Sequence, residues 1–181
     1  MGVTFKFTKL RDVKSPTRWT RVSSGFDFYI PEDLKPEDIK FTPTLTDLNV
    51  NVEEQVHDGQ ITIPAGLGVL IPSWLKILME PDEVEEDATY EMVLYNKSGV
   101  AVKYNLLVWA NVIDNDYRGE FNIHLINVWL DEVTVEFGQK IVQWIIRKVY
   151  LPAPYKIDQE EYEANAQTER GEGWFGSTWT K

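Results

Sequence analysis

VAVKYNLLVWANVIDNDYRGEFNIHLIN, residues 100–127, carries the pattern on which the fold reading rests. Val100, Val102, Tyr104, Leu106 and Val108 alternate with Ala101, Lys103, Asn105 and Leu107. Successive strand side chains point to opposite faces, so this period predicts a half-buried strand. Further on, Phe121, Ile123 and Leu125 alternate in the same way against Asn122, His124 and Ile126. The polar run Asp114-Asn115-Asp116-Tyr117-Arg118-Gly119 between them ends in glycine and predicts the turn of a hairpin. Working outward, segments 59–71 and 140–149 are rich in Ile and Val and bounded by Gly or Pro, which predicts further strands. Helix is scarce, the best candidate being the short polar KIDQEEYEA at 156–164. Many short strands with little helix predict an all-β sandwich or barrel.

Composition narrows the function. The chain has 181 residues, enough for one domain with its own core, and a net charge of -11. It has no cysteine, which excludes disulfide scaffolds and thiolate metal sites, and its two histidines, His57 and His124, lie too far apart to suggest a zinc site. Such acidity argues against nucleic-acid binding, which depends on Lys and Arg neutralising phosphates. No apolar run reaches the roughly 18 residues of a membrane span, and the first twenty residues lack the apolar core of a signal peptide. The expectation is a soluble cytoplasmic protein. Two acidic, Pro-containing stretches, 31–59 and 80–88, read as solvated loops because like charges repel. Residues 166–181 are Gly-rich and polar around aromatics, so the expected division is a β domain over 1–165 and a mobile arm over 166–181.

Three segments carry residue types suited to chemistry. Arg170, Gly171, Gly173, Gly176, Ser177 and Thr178 offer a guanidinium fork, hydroxyls and close backbone N–H groups, the donors a phosphate takes, with Phe175 available to stack on a base. A disordered Gly-rich tail is the plainer alternative. Asn96-Lys97-Ser98-Gly99 could hold a phosphate oxygen or be a simple turn. Asp114 could be a functional carboxylate or a turn cap.

Their order decides between these alternatives, because the sequence resembles the trimeric dUTPase family. Its five motifs occur in family order as SGFDF at 24–28, NKSGV at 96–100, NVIDNDYRGE at 111–120, GQKIVQ at 138–143 and RGEGWFGST at 170–178. The resemblance implies a distorted antiparallel β-barrel or jelly roll with a flexible C-terminal arm, acting on dUTP to release dUMP and pyrophosphate with Mg²⁺. It also implies a homotrimer in which three subunits share each site. Asp114 would activate the attacking water, with Gln143 beside the phosphates. Lys97, Ser98 and Gly99 would contact phosphates, and Tyr117 would lie against the deoxyribose. Arg170, Gly176, Ser177 and Thr178 would hold the γ-phosphate, and Phe175 would cover the uracil. Asp27 would sit near the magnesium through water. A triphosphate bound by so acidic a chain calls for a divalent ion, and phosphoryl transfer needs positioning and charge neutralisation above all.

The sequence departs from the family at several points. Lys97 stands where Arg is usual, which keeps the charge and loses the planar fork. Trp174 and Trp179 stand where Gly is common, Asn111 replaces a frequent Gly, and the acidic stretches 31–59 and 80–88 exceed the usual length. NKSGVAVK and the INV after the turn look most like bacteriophage members. A dCTP deaminase of the same fold is the rival reading, but it needs a Glu where His124 stands. A dUTPase with an added regulatory role, binding a protein partner through the acidic insertions, is the other.

Overall fold

The computed structural model describes residues 2–42 and 50–168. The chain divides into two compact units, Met1–Tyr150 and Leu151–Lys181. The first holds strands β1 (Val3–Lys9), β2 (Phe26–Tyr29) and β3 (Lys40–Thr42), helix α1 (Val52–Gln55), then β4 (Val56–His57), β5 (Gln60–Ile63), β6 (Gly68–Pro72), β7 (Leu75–Pro81) and β8 (Ala88–Asn96). Helix α2 (Ser98–Tyr104) follows, then β9 (Leu106–Val108), β10 (Val112–Asp114), β11 (Asn122–Asn127), β12 (Val133–Glu136) and β13 (Lys140–Tyr150). In the second unit the described structure is α3 (Gln159–Asn165), exposed and capped by the Asp158 carboxylate, which accepts from Glu161 N–H at 2.9 Å. It matches the short polar helix expected there.

All named strand pairs are antiparallel. Two four-stranded sheets, β10-β8-β13-β2 and β3-β6-β11-β9, are accompanied by a three-stranded sheet β12-β5-β4 and the pair β1-β7. The fold is all-β as expected, built from open sheets rather than a closed barrel among the described residues. Period two is plainest in β7, where Leu75, Ile77 and Met79 are buried while Lys76, Leu78 and Glu80 face out. β13 joins β8 on one side and β2 on the other, and its Trp144 is fully buried. The rings of Phe5, Phe26 and Phe28 lie 4.3, 4.6 and 5.7 Å from the Trp144 ring. Removing this indole empties the centre of the aromatic cluster, so Trp144→Ala should lower stability by about 3–5 kcal/mol in a denaturant titration. Trp144→Phe should cost less, since it also removes the buried Nε1 donor, which has no hydrogen-bond partner.

Three expectations are corrected. Residues 98–104 are helical, not part of a strand over 100–108. Val100 and Tyr104 face the core in either reading, because positions four apart share a face in a helix and in a strand alike. Val102 decides between them: it is 82% exposed, where a strand would have turned it inward. Asn105 then ends the helix in the left-handed conformation with its N–H on the Ala101 carbonyl. Second, β10 and β11 do not pair with each other. β10 pairs with β8, and β11 pairs with β6 and β9, so the 114–119 turn links two sheets. Third, the described residues of the acidic stretch, 31–42 and 50–59, are built into the fold, since Leu34, Ile39 and Val56 are buried in the core. The 80–88 stretch matches its reading better, with residues 82–84 exposed and Glu85 paired with Lys148.

Candidate active site

Residues from three distant parts of the chain meet where β2, β8 and β13 run side by side. Asp27 of β2 is opposite Gln143 of β13, which is opposite Tyr95 of β8. β2 comes so close to β13 just before Asp27 that a Cβ on Gly25 would sit 3.0 Å from the Trp144 carbonyl oxygen and 3.3 Å from Gln143 Oε1. Gln143 Nε2 donates to the Asn96 carbonyl at 3.1 Å, fixing the chain one residue before Lys97. Lys97 Nζ then reaches Asp27 Oδ1 at 2.5 Å, and Lys140 Nζ reaches Asp27 Oδ2 at 3.0 Å. Asp27 is 5% exposed, so burial of its charge is compensated by two ammonium groups. The hydrogen bond to Asp27 holds the Lys140 ammonium above its ordinary pKa, against the opposing effect of desolvation. Ser98 and Gly99 lie exposed at the start of α2, directly after Lys97.

Lys140 is the residue that sequence reasoning missed. It lies inside the GQKIVQ motif, yet its part becomes visible only from the β13–β2 register, in which Lys140 pairs with Tyr29 across an irregularity. The signal available beforehand was a lysine at the head of an apolar strand, which ordinarily reads as a solvated charge.

The second cluster is the turn after β10. Tyr117 N–H donates to the Asp114 carbonyl at 3.2 Å, closing a four-residue turn. Arg118 Nη1 donates to the Asn115 and Tyr117 carbonyls at 2.5 and 3.2 Å, and the Tyr117 hydroxyl donates to the Glu120 carbonyl at 2.7 Å. Asp114 is exposed at the strand end. Within one chain the two clusters are far apart. Asp114 pairs with Glu91, whereas Lys97 follows the last residue of the same strand β8. At 3.4 Å per residue that is a separation on the order of 20 Å. Arg170, Phe175, Gly176, Ser177 and Thr178 lie outside the described residues.

Among the described residues no group of three or more His, Asp or Glu side chains could hold a metal ion. Both Asp27 oxygens are taken by lysines, so these side chains form no protein-built magnesium cage, and an ion arriving with a nucleotide would have to be held mainly by phosphate oxygens and water. His124, which stands where the rival deaminase reading needs a carboxylate, has its Nε2 2.9 Å from the Thr42 hydroxyl, and burial pushes its pKa below the ordinary value. It lines a cavity of about 710 Å³ together with Trp109, Ile126, Val128, Trp129 and Leu130. Among the described residues no helix is long and apolar enough to cross a membrane.

Known proteins resemble this chain in sequence and in fold. A family model described as dUTPase matches residues 81–179. The deoxyuridine 5'-triphosphate nucleotidohydrolase of Rickettsia massiliae is 40% identical over 125 residues, covering 67% of this chain and 76% of its own. That of Caldanaerobacter subterraneus subsp. tengcongensis is 33% identical over 134 residues, covering 73% and 79%. Among solved structures, the Staphylococcus bacteriophage 80alpha dUTPase with dUPNHPP has a TM-score of 0.67 at 18% identity, covering 97% of this chain and 98% of its own. A dUTPase from phage phi11 of S. aureus, described with a structural Mg(II) ion, has a TM-score of 0.61 at 14% identity, covering 86% and 97%.

Proposed function

Because the chain belongs to the dUTPase family, we propose that it hydrolyses dUTP to dUMP and pyrophosphate, at a site assembled from more than one copy of itself. The observation that carries the reading is the convergence of Asp27, Lys97 and Gln143 from three separated motifs on one spot. Two ammonium groups and an amide there suit a triphosphate. Asp114 accepts the proton of a water that attacks the α-phosphorus, the bond to the bridging oxygen breaks, and pyrophosphate leaves. Magnesium, when bound with the nucleotide, neutralises charge on the phosphate oxygens. Lys97, Ser98 and Gly99 hold phosphates and Gln143 orients the groups beside them, while Asp27 keeps both lysines in place and meets the ion's waters. Tyr117 stands against the deoxyribose. Arg170, Gly176, Ser177 and Thr178 bind the γ-phosphate and Phe175 covers the base.

The separation of the two clusters along β8 supports a homotrimer, since a single chain cannot bring Asp114 to a phosphate held at Lys97. So does the exposed apolar surface of Trp109, Val128, Trp129 and Leu130 around the 710 Å³ cavity, which one chain leaves in water. The test is to supply Mg²⁺ and each deoxynucleoside triphosphate in turn, measure pyrophosphate and ammonia, and sediment the same sample. Pyrophosphate from dUTP alone and a mass of three chains are expected. Ammonia from dCTP, or an active monomer, would overturn the reading.

A further inference from the structure

Gly119 is not a glycine for the sake of its backbone. Among the described glycines the left-handed region is occupied by Gly59, Gly66 and Gly138, and Gly119 is not among them, so its φ does not call for glycine. What position 119 supplies is room. A Cβ built there would come to 2.6 Å from Cζ and 3.0 Å from Cε2 of Tyr117, and closer still to its hydroxyl oxygen. The three nearest obstacles all belong to that one ring, so the phenol lies over residue 119 in contact with its backbone.

The ring is also tethered from the far side. Its hydroxyl donates to the Glu120 carbonyl at 2.7 Å. Glu120 is itself fastened, because its carboxylate accepts from the Trp74 N–H at 2.7 Å and the neighbouring Phe121 carbonyl accepts from Ser73 N–H at 3.2 Å. Trp74 is buried and held at a φ of 54°, a conformation that a bulky residue keeps only when its surroundings impose it. A tyrosine 45% exposed would ordinarily sample several rotamers. Here the gap at 119 and the anchored carbonyl of Glu120 select one.

We infer that Gly119 is a positioning residue for substrate specificity: the absence of its side chain seats the Tyr117 ring, and the seated ring excludes nucleotides that carry a 2′-hydroxyl. The inference rests on the reading of Tyr117 as the wall beside the deoxyribose. The difference between dUTP and UTP is one oxygen, and a misplacement of about 1 Å is enough to change rates by 10²-fold. A methyl group at 119 lifts the ring by that order, since the nearest atoms it meets are all those of Tyr117.

The experiment compares kcat/KM for dUTP and UTP in the wild-type protein, Gly119→Ala, Tyr117→Ala and the double variant. Gly119→Ala should lower the dUTP-to-UTP ratio about tenfold or more. In the Tyr117→Ala background the same substitution should change nothing further, since the ring it displaces is gone. If Gly119→Ala also lowers the melting temperature, Tyr117→Ala in the same chain should restore it. A ratio unchanged by Gly119→Ala but lowered by Tyr117→Ala overturns the seat and leaves the wall standing. A ratio unchanged by both overturns the two together, and a Gly119→Ala chain that Tyr117→Ala cannot rescue makes the glycine a folding requirement instead.

Discussion

Asp114→Asn should reduce kcat for dUTP by about 10²- to 10⁴-fold, the contribution ordinarily made by a positioned general base. The amide keeps the shape of the carboxylate but cannot take the proton from the attacking water. Asp114 lies at the solvent-exposed end of β10, opposite Glu91, so the exchange removes no buried interaction and should leave the melting temperature close to that of the wild type. Affinity for a non-hydrolysable dUTP analogue should persist in calorimetry, because the phosphate contacts are made by other residues. A variant retaining more than about a tenth of the wild-type kcat would take Asp114 out of the base role.

A chain ending at Thr168 should lose on the order of 10²-fold or more in kcat, as electrostatic contacts to a leaving group that gathers charge in the transition state are costly to remove. Arg170, Phe175, Gly176, Ser177 and Thr178 go together in this variant, and with them the proposed γ-phosphate contacts and the cover over the base. Among the described residues the buried core runs from Val13 to Trp144, all in the first unit, so stability and assembly should barely change. Sedimentation and pyrophosphate release measured on the same preparation separate the two effects. Full activity in the shortened protein would reduce residues 169–181 to an appendage.

The strands that could be read beforehand were β11, whose Ile123 and Leu125 are buried on either side of a less buried His124, and β13, legible from its density of Ile and Val and not from alternation, since Ile141 and Val142 are both buried. The helix at 98–104 was hidden because Val100 and Tyr104 satisfy both periods, and only the exposure of Val102, set by tertiary packing, separates them. The pairing partners of β10 and β11 were equally out of reach, since a polar turn ending in glycine serves a hairpin and a sheet-to-sheet link alike. For the site, the residue types at 27, 97 and 143 came from ordered motifs. That Asp27 bridges two lysines is a consequence of strand register, which composition does not encode. The core role of the 31–59 stretch was masked by its charge, although Leu34, Ile39 and Val56 lie among those acids.

The placement of Lys97 and of the Asp114 ladder toward opposite ends of one strand has a genetic consequence. In the shared-site trimer proposed above, each copy would lend its two ends to different sites, so damage at one end would not spoil the other. Asp114→Asn and Lys97→Met chains, each inert alone, should complement one another when unfolded together and reassembled in equal amounts. In randomly mixed symmetric trimers about a quarter of the sites join an intact Lys97 from one copy to an intact Asp114 from another. Two such alleles sharing a cell would therefore behave as recessive to each other, and partial activity would return without any reversion in either.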